Sequence, residues 1–483
     1  MNLSEYARYD ALGLAELVAS KQVSPKELAE CAAAAVEAIN HAVNAVVETY
    51  PDRIEGLDEK ALGNGPFRGV PFLIKDVYGH EAGRRIEFGS RLCKDMRVAA
   101  DTHVFELFKA SGVNVLGRSA APEYSMAGTT EGALYGNTSN PWKEGYSAGG
   151  SSGGAMAALI AGIVPIAHGT DIAGSIRIPA SYCGGVGLKP SRGRVSYGPA
   201  MDENGFGLGQ NFVQTKSVRD AAAMLDCLAI AQPGDPFLIP GPPKPYAALA
   251  REKAPPLRIG WSTDGLMGLK PDPEVVQAVA AAAGLLAEMG HTVVEESPET
   301  IGVEAMSSMA NIWFFGFHLR LEDFSKRSGH RIGPDTLESA TLTIYEHAKR
   351  MTAAQFLEST AVLNSVRRKL GRYFTRYDIW LSPATTRAAE PWGNYGLGKS
   401  GLTMGEIAEK VLRPTCQFTL PHNIMGTPAI SLPLAVNCAG MPIGIQLGAR
   451  PAQEHLALQL GSELERAKPW AQRVPTLHVS RRR

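Results

Sequence analysis

The sequence predicts an α/β protein, one β-sheet with helices packed on its faces. Three observations carry this. From Asp101 onward, stretches of helical periodicity alternate with short apolar runs of strand character. The 483 residues are 45% hydrophobic and 20% charged, which is ordinary for a chain that buries a sizeable core. The longest nearly apolar run, Ala155 to Ala167, is thirteen residues, short of the ~20 that a membrane-spanning helix needs. Periodicity leaves the strand order open.

In chain order, two amphipathic helices come first. The second is marked by Ser24 as N-cap, Pro25 at the first helical position and Glu27 completing a capping box. Leu28, Cys31, Ala32, Ala35, Val36 and Ile39 then recur at helical spacing. Gly69 to Asp76 reads as an apolar strand that ends in Lys75. Burial would lower the pKa of that lysine; alternatively it snorkels to the surface or pairs with Asp76. His103 to Ala110 reads as a helix capped by Gly112, followed by a strand from Val113 to Leu116. Ala155 to Ile163 reads as a buried small-residue helix and Val164 to Ala167 as a strand.

Eight prolines between Gln232 and Leu257 mark an extended surface connection. Beyond it, Leu257–Trp261 and His291–Glu295 read as strands around a helix from Pro273 to Gly290. Gly302 to Leu370 is mostly helical, with an aromatic cluster at Trp313, Phe314, Phe315 and Phe317 that packs a core or walls an apolar pocket. Tyr377–Pro383, Pro428–Pro433 and Met441–Leu447 read as strands, and Glu454–Lys468 as a closing helix. The basic tail Arg481–Arg483 reads as a solvated end.

Charge and cysteine usage exclude several functions. Lys+Arg and Asp+Glu both number 48, so no net field draws nucleic acid or an anionic membrane. The six cysteines show no CxxC or CxxH spacing, which argues against a zinc site or a disulfide framework and suits a reducing compartment. The start, MNLSEYARYDA, shows neither a basic nor an apolar signal region. A soluble cytoplasmic protein is the expectation.

The stretch that points to chemistry is Ser147 to Ala180. It holds Ser151 and Ser152 within Gly149-Gly150-Ser151-Ser152-Gly153-Gly154, and Ser175 after Ala173-Gly174. Glycines around hydroxyls let backbone N–H groups converge on a reacting oxygen, although tight turns flanking a helix would use the same residues. A serine attacks only once a base takes its proton. Gly149–Gly153 fits the nucleophile-elbow pattern G-x-S-x-G, but that elbow follows a strand, which Pro141 to Tyr146 does not resemble. His422 and His455 lack a supporting context. No phosphate-binding G-x-x-x-x-G-K-[ST] follows any strand, and HExxH is absent. The remaining candidate base is Lys75.

These motifs together resemble the amidase signature family. The resemblance rests on Gly149–Gly154, on Gly169-Thr170-Asp171-Ile172-Ala173-Gly174-Ser175-Ile176-Arg177-Ile178-Pro179, and on the 24-residue step from Ser151 to Ser175. It extends to Pro71–Asp76, Asn140-Pro141-Trp142, Gly187-Leu188-Lys189-Pro190, Gly426–Pro433 and Gly440–Gln446, and so covers nearly the whole chain. It implies one domain over 1–483, with a large mixed, twisted sheet covered by helices on both faces. The catalytic core would span about 65–230 and 376–470, with a mainly helical insertion at about 265–375.

The resemblance implies a Ser–cisSer–Lys triad and amide hydrolysis without metal or cofactor. Ser175 would be the nucleophile, Ser151 the bridge with its preceding peptide cis, and Lys75 the neutral base. The N–H groups of Ile172, Ala173, Gly174 and Ser175 would form the oxyanion hole, a device in which one lost donor costs about 2.7–4 kcal/mol. Asp171 would accept backbone hydrogen bonds that shape the loop, Arg177 would pair structurally or, alternatively, bind a substrate carboxylate, and Ser152 would support the serine loop. Met126 and Thr129, in the loop Ser125–Thr130, together with Gly150 and Trp313, are the implied substrate contacts.

One departure stands out: Ala173-Gly174-Ser175 replaces the Gly-Gly-Ser of most relatives. The branch similar to 6-aminohexanoate cyclic-dimer hydrolases shares this Ala-Gly-Ser, together with His168-Gly169, Gly187–Arg194 and Pro233-Gly234-Asp235. The expected substrate is a small, hydrophobic, linear or cyclic amide, with ester or carbamate hydrolysis as a side activity. No nucleic acid or membrane partner is expected. A homodimer is common among relatives, and the sequence leaves the oligomeric state open. The rival readings are the glutaminase subunit of a tRNA amidotransferase and a non-catalytic amide-binding protein on the same fold.

Overall fold

The computed structural model describes residues 1–481; the tail reading falls partly on Arg482 and Arg483, which lie outside the described residues. In the first half of the chain the strands are β1 (Val46–Thr49), β2 (Pro71–Lys75), β3 (Asn114–Ser119), β4 (Ser139–Asn140), β5 (Lys143–Ser147), β6 (Ile166–Asp171), β7 (Val186–Lys189) and β8 (Gln210–Thr215). The second half adds β9 (Arg258–Trp261), β10 (Thr292–Glu295), β11 (Ile379–Pro383), β12 (Ala429–Val436) and β13 (Pro442–Ala449).

Eleven of these strands form one sheet in the order β1-β3-β2-β6-β8-β7-β12-β13-β11-β9-β10. It is a single mixed sheet with helices on both faces, as expected. β2 runs parallel to both β3 and β6, and β9 runs parallel to β10 and β11. β6 to β13 pair antiparallel through β8, β7 and β12. The central strands β2, β3, β6, β7, β8 and β13 are buried along their whole length, which fits runs of apolar residues without polar alternation. Among the described residues, no helix is long and apolar enough to cross a membrane.

Local signals acted where they were read. Ser24 caps the helix Pro25–Val43 with a complete capping box, and Gly112 ends the helix His103–Ser111 at φ 92. Boundaries moved by a few residues. A short helix, Leu3–Tyr6, precedes the two expected at the start. The small-residue helix covers Gly153–Ile160 rather than 155–163. Gly162 at φ 85 and an Ile163 N–H bond to the Ala158 carbonyl turn the chain there, so the strand starts at Ile166 and continues to Asp171.

One reading is corrected. Residues 141–146, which do not resemble a strand in sequence, contain most of β5, which pairs with β4 in a two-stranded ribbon. Lys143 and Glu144 are exposed and Gly145 sits at φ 80, so the ribbon has no apolar alternation to betray it. A strand therefore does precede the serine block, and the case against a histidine triad has to rest on side-chain partners.

Two smaller apolar clusters flank the main core on the side where Ser175 lies. One joins Ile172, Ala173 and Ile178 to the helices Glu304–Phe314 and Ala353–Tyr373; the other joins Met126 to Phe314, Phe317 and Phe324.

Candidate active site

β2 carries Lys75 into the interior, where it is 1% exposed. Its Nζ lies 2.7 Å from Ser151 Oγ and 2.9 Å from Thr170 Oγ1. Burial pushes the Lys75 pKa well below the usual lysine value, against the opposing pull of the Asp171 charge. The alternative pairing with Asp76 does not occur. Asp76 bonds Arg118 at 2.5 Å and accepts the N–H groups of Glu87 and Gly89, so the lysine neither snorkels nor borrows that carboxylate.

Ser151 follows a cis peptide bond from Gly150 and is fully buried. The glycines on either side are required by space. A Cβ on Gly150 would stand 2.4 Å from the Thr129 carbonyl oxygen, and one on Gly154 would stand 2.5 Å from Ala120 N and O. The two serine blocks are joined directly, since the Ser152 N–H donates to the Ser175 carbonyl at 3.1 Å. The Ser152 hydroxyl is spent on the Thr170 backbone, at 3.3 Å to its carbonyl and 3.2 Å from its N–H.

Ser175 is 8% exposed and follows Gly174 at φ 131. Asp171 shapes this turn by accepting the Gly174 N–H at 2.8 Å and the Ile176 N–H at 3.2 Å. Burial pushes the Asp171 carboxyl up, but the Arg177 guanidinium outweighs it and holds the pKa at about 2. Arg177 is itself fully buried and also reaches the Thr419 carbonyl, Gln446 and Asn423. Of the four N–H groups expected to face an oxyanion, that of Gly174 is therefore engaged by Asp171. Those of Ile172, Ala173 and Ser175 have no acceptor among the described residues. Ala173 keeps an ordinary φ; the left-handed burden falls on Gly174. Thr419 Oγ1 donates to the Ala173 carbonyl and fixes the turn from the far side.

A cleft opens at Ser175, walled by Ser125, Met126, Ala127, Gly128, Ala173, Ile178, Trp313, Leu412, Thr415 and Cys416. Met126 and Trp313 are thus both part of the wall. Thr129 and Gly150 do not line it: Thr129 Oγ1 bonds Glu131 and Ser147, and Gly150 packs against Thr129. The sequence reading missed Thr170, the second partner of Lys75, and the far wall at Leu412, Thr415 and Cys416. Those three lie some 240 residues beyond Ser175 with no motif to flag them. His422 bonds Thr427, and among the described residues neither His422 nor His455 bonds to Ser151 or Ser175. No group of three or more potential metal ligands occurs among the described residues.

One large mixed sheet, with Lys75 bonded to one glycine-flanked serine turn and the second serine turn joined to the first through the Ser152 N–H, is the architecture of an amidase-type hydrolase. The family model described as Amidase matches residues 27–458, and the chain belongs to the amidase signature family, hydrolases of carbon–nitrogen bonds other than peptide bonds. It is 36% identical over 481 residues to the 6-aminohexanoate-cyclic-dimer hydrolase of Paenarthrobacter ureafaciens, covering 97% of this chain and 96% of that one. It is 32% identical to an acylamidase of Rhodococcus erythropolis, with 96% of each covered. The solved structure of 6-aminohexanoate cyclic dimer hydrolase complexed with substrate superposes with a TM-score of 0.91 at 34% identity, covering 98% and 99% of the two chains.

Proposed function

We propose that this amidase cleaves small, uncharged, hydrophobic amides, linear or cyclic, through an acyl-enzyme on Ser175. The observation that carries the mechanism is the buried Lys75 amine within hydrogen-bond distance of Ser151. With its pKa depressed by burial, Lys75 is available as a neutral base. Ser175 Oγ attacks the carbonyl carbon as its proton passes to Ser151, whose own proton passes to Lys75. The carbonyl oxygen becomes an oxyanion that faces the free N–H groups of Ile172, Ala173 and Ser175. The C–N bond then breaks, Ser151 delivers a proton to the departing nitrogen, and Lys75 is restored to its neutral form. Water attacks the resulting ester by the same relay and releases the carboxylic acid.

The cleft supports the substrate class. None of the side chains that wall it is charged, whereas free glutamine carries both an ammonium and a carboxylate that a glutaminase has to match. This disfavours the amidotransferase reading. A non-catalytic binding protein has no use for a buried amine poised on a serine. In this reading the helical segment at about 265–375 supplies Trp313 to the cleft wall, and the absence of net charge fits a cytoplasmic enzyme with no nucleic-acid partner.

The test is hydrolysis of p-nitroacetanilide and of a p-nitrophenyl ester by the wild type and by Ser175→Ala, with acylated Ser175 sought by mass spectrometry of the intact protein. Loss of both activities in the variant, with an acyl adduct on wild-type Ser175, is the expected result. Activity that survives Ser175→Ala sinks the mechanism.

A further inference from the structure

We infer that Ser125 is a substrate-contact residue whose hydroxyl oxygen accepts the N–H of the scissile amide, favouring amides over esters; this rests on Ser175 being the nucleophile.

Ser125 shares the cleft wall with Ser175. It is only 5% exposed, and its Oγ is buried with no hydrogen-bond partner. Buried hydroxyls nearly always find a partner, so an orphan in the wall of a reaction cleft marks a place that a ligand atom fills.

The hydroxyl is also held there against the backbone's own preference. Tyr124 and Ser125 sit consecutively at φ 50 and φ 60, a region that residues with side chains rarely adopt and that clusters at functional sites when the surroundings enforce it. The surroundings here are firm. The Ser125 N–H donates to the Pro122 carbonyl at 2.9 Å, and the Tyr124 N–H donates to the Phe88 carbonyl at 2.7 Å. The Glu123 carboxyl accepts from Ser90 Oγ at 2.6 Å and from the Glu338 N–H at 2.9 Å.

The complementarity of the amide gives the polarity. An amide presents one acceptor, its carbonyl oxygen, and one donor, its N–H. The oxygen is drawn to the free N–H groups of Ile172, Ala173 and Ser175, so the N–H needs an acceptor elsewhere in the cleft. The hydroxyl of Thr415 and the thiol of Cys416 are each fixed in place by donating to the Leu412 carbonyl at 3.0 Å, so neither is left without a partner. The Trp313 indole can only donate. Apart from the nucleophile itself, Ser125 Oγ is the side-chain hydroxyl of the wall that has no hydrogen-bond partner at all among the described residues. An ester has no N–H to offer it.

The experiment measures kcat/KM for p-nitroanilides and p-nitrophenyl esters with the same acyl chain, from acetyl to decanoyl, using wild type, Ser125→Ala and Ser125→Gly. Both variants remove the hydroxyl. Alanine keeps the burden of a side chain at positive φ and glycine relieves it, so agreement between them isolates the oxygen. The expected result is a loss of about three- to tenfold on the anilides in both variants, the range for one hydrogen bond, with the esters within about twofold of wild type. Equal losses on anilide and ester overturn the proposal, as does an undiminished anilide rate in Ser125→Gly. Failure of the underlying reading looks different: Ser175→Ala would then retain hydrolysis of both substrates.

Discussion

Lys75 Nζ stands 2.7 Å from Ser151 Oγ, at the end of a strand that is buried along its whole length. A charged ammonium is disfavoured there, and the lysine pKa falls well below its usual value. Two of its neighbours, Ser151 and Thr170, are hydroxyls that can donate to or accept from it, so a neutral amine is satisfied without a carboxylate partner.

The first prediction concerns pH. kcat/KM rises with pH as Lys75 loses its proton, and Lys75→Met removes that limb together with at least ~10²-fold of the activity, the lower end of what a positioned base supplies. Stability carries the same sign. Between the folded and unfolded pKa values the unfolded chain holds the proton and the folded one does not, so unfolding free energy increases with pH through that window. Rate profiles and urea unfolding from about pH 5 to 10 would show both slopes in the difference between wild type and Lys75→Met, which removes the contributions of the other titrating groups.

The second concerns Asp171. Asp171→Asn leaves the buried Arg177 charge without its carboxylate and weakens the bonds to Gly174 and Ile176. Breaking a buried pair from one side costs about 3–5 kcal/mol, and activity falls with the loop. The wild-type carboxyl is held at about 2. Its contribution is therefore complete above the unfolded value near 3.8 and is lost as pH falls from there toward about 2. Denaturant unfolding at pH 7 and at successive acidic values measures the difference, and a variant as stable as wild type at pH 7 contradicts it.

The third separates neighbours in the turn. Ala173 has an ordinary φ, while Gly174 sits at φ 131 with Thr419 Oγ1 2.3 Å from where a Cβ would be. Ala173→Gly is expected to keep kcat/KM within a few-fold of wild type and to lose only about 0.5–1 kcal/mol of stability through added backbone freedom. Gly174→Ala is expected to abolish activity, because both the clash and the backbone strain fall on the turn that presents Ser175. A drop in activity of similar size in both variants would count against this division of labour.

What could be read from the sequence follows from where the physics is local. The capping box at Ser24, the Gly112 cap and the strand ending at Lys75 each depend on residues a few positions apart, and they appear where expected. The serine turns were legible because their glycines answer steric demands that leave no alternative, as Gly150 and Gly154 show. The ribbon at Lys143–Ser147 was not legible, since its exposed, charged residues carry no period. Thr170 lies inside the quoted motif, yet its bond to Lys75 depends on the pairing of β2 with β6. The far wall of the cleft at Leu412 to Cys416 depends on tertiary packing alone, as does the orphaned Ser125 hydroxyl.

The last prediction concerns the acid beneath the cleft loop. Glu123 is 1% exposed, and burial followed by the nearby Glu338 charge pushes its carboxyl up to about 7. Glu338 is raised as well by its own burial, with Glu131 adding to the negative charge around it and Arg91 opposing. The folded state therefore binds a proton at Glu123 more tightly than the unfolded chain does. The contribution of Glu123 to stability is greatest below the ordinary glutamate value and declines as pH rises through about 7; the span of the shift corresponds to about 3 kcal/mol at most. Glu123→Gln removes the charge while its amide oxygen can still accept the Glu338 N–H. Its NH2 group can donate to Ser90 Oγ, whose own proton can turn to the Thr336 carbonyl, 3.5 Å away. The variant is expected to match wild type in urea unfolding at pH 5, to exceed it by about 1–3 kcal/mol at pH 8, and to show a flatter profile between them. Parallel profiles for the two proteins would mean that the Glu123 carboxyl titrates alike in the folded and unfolded states, and that the loop carrying Ser125 and Met126 is not tied to a buried proton.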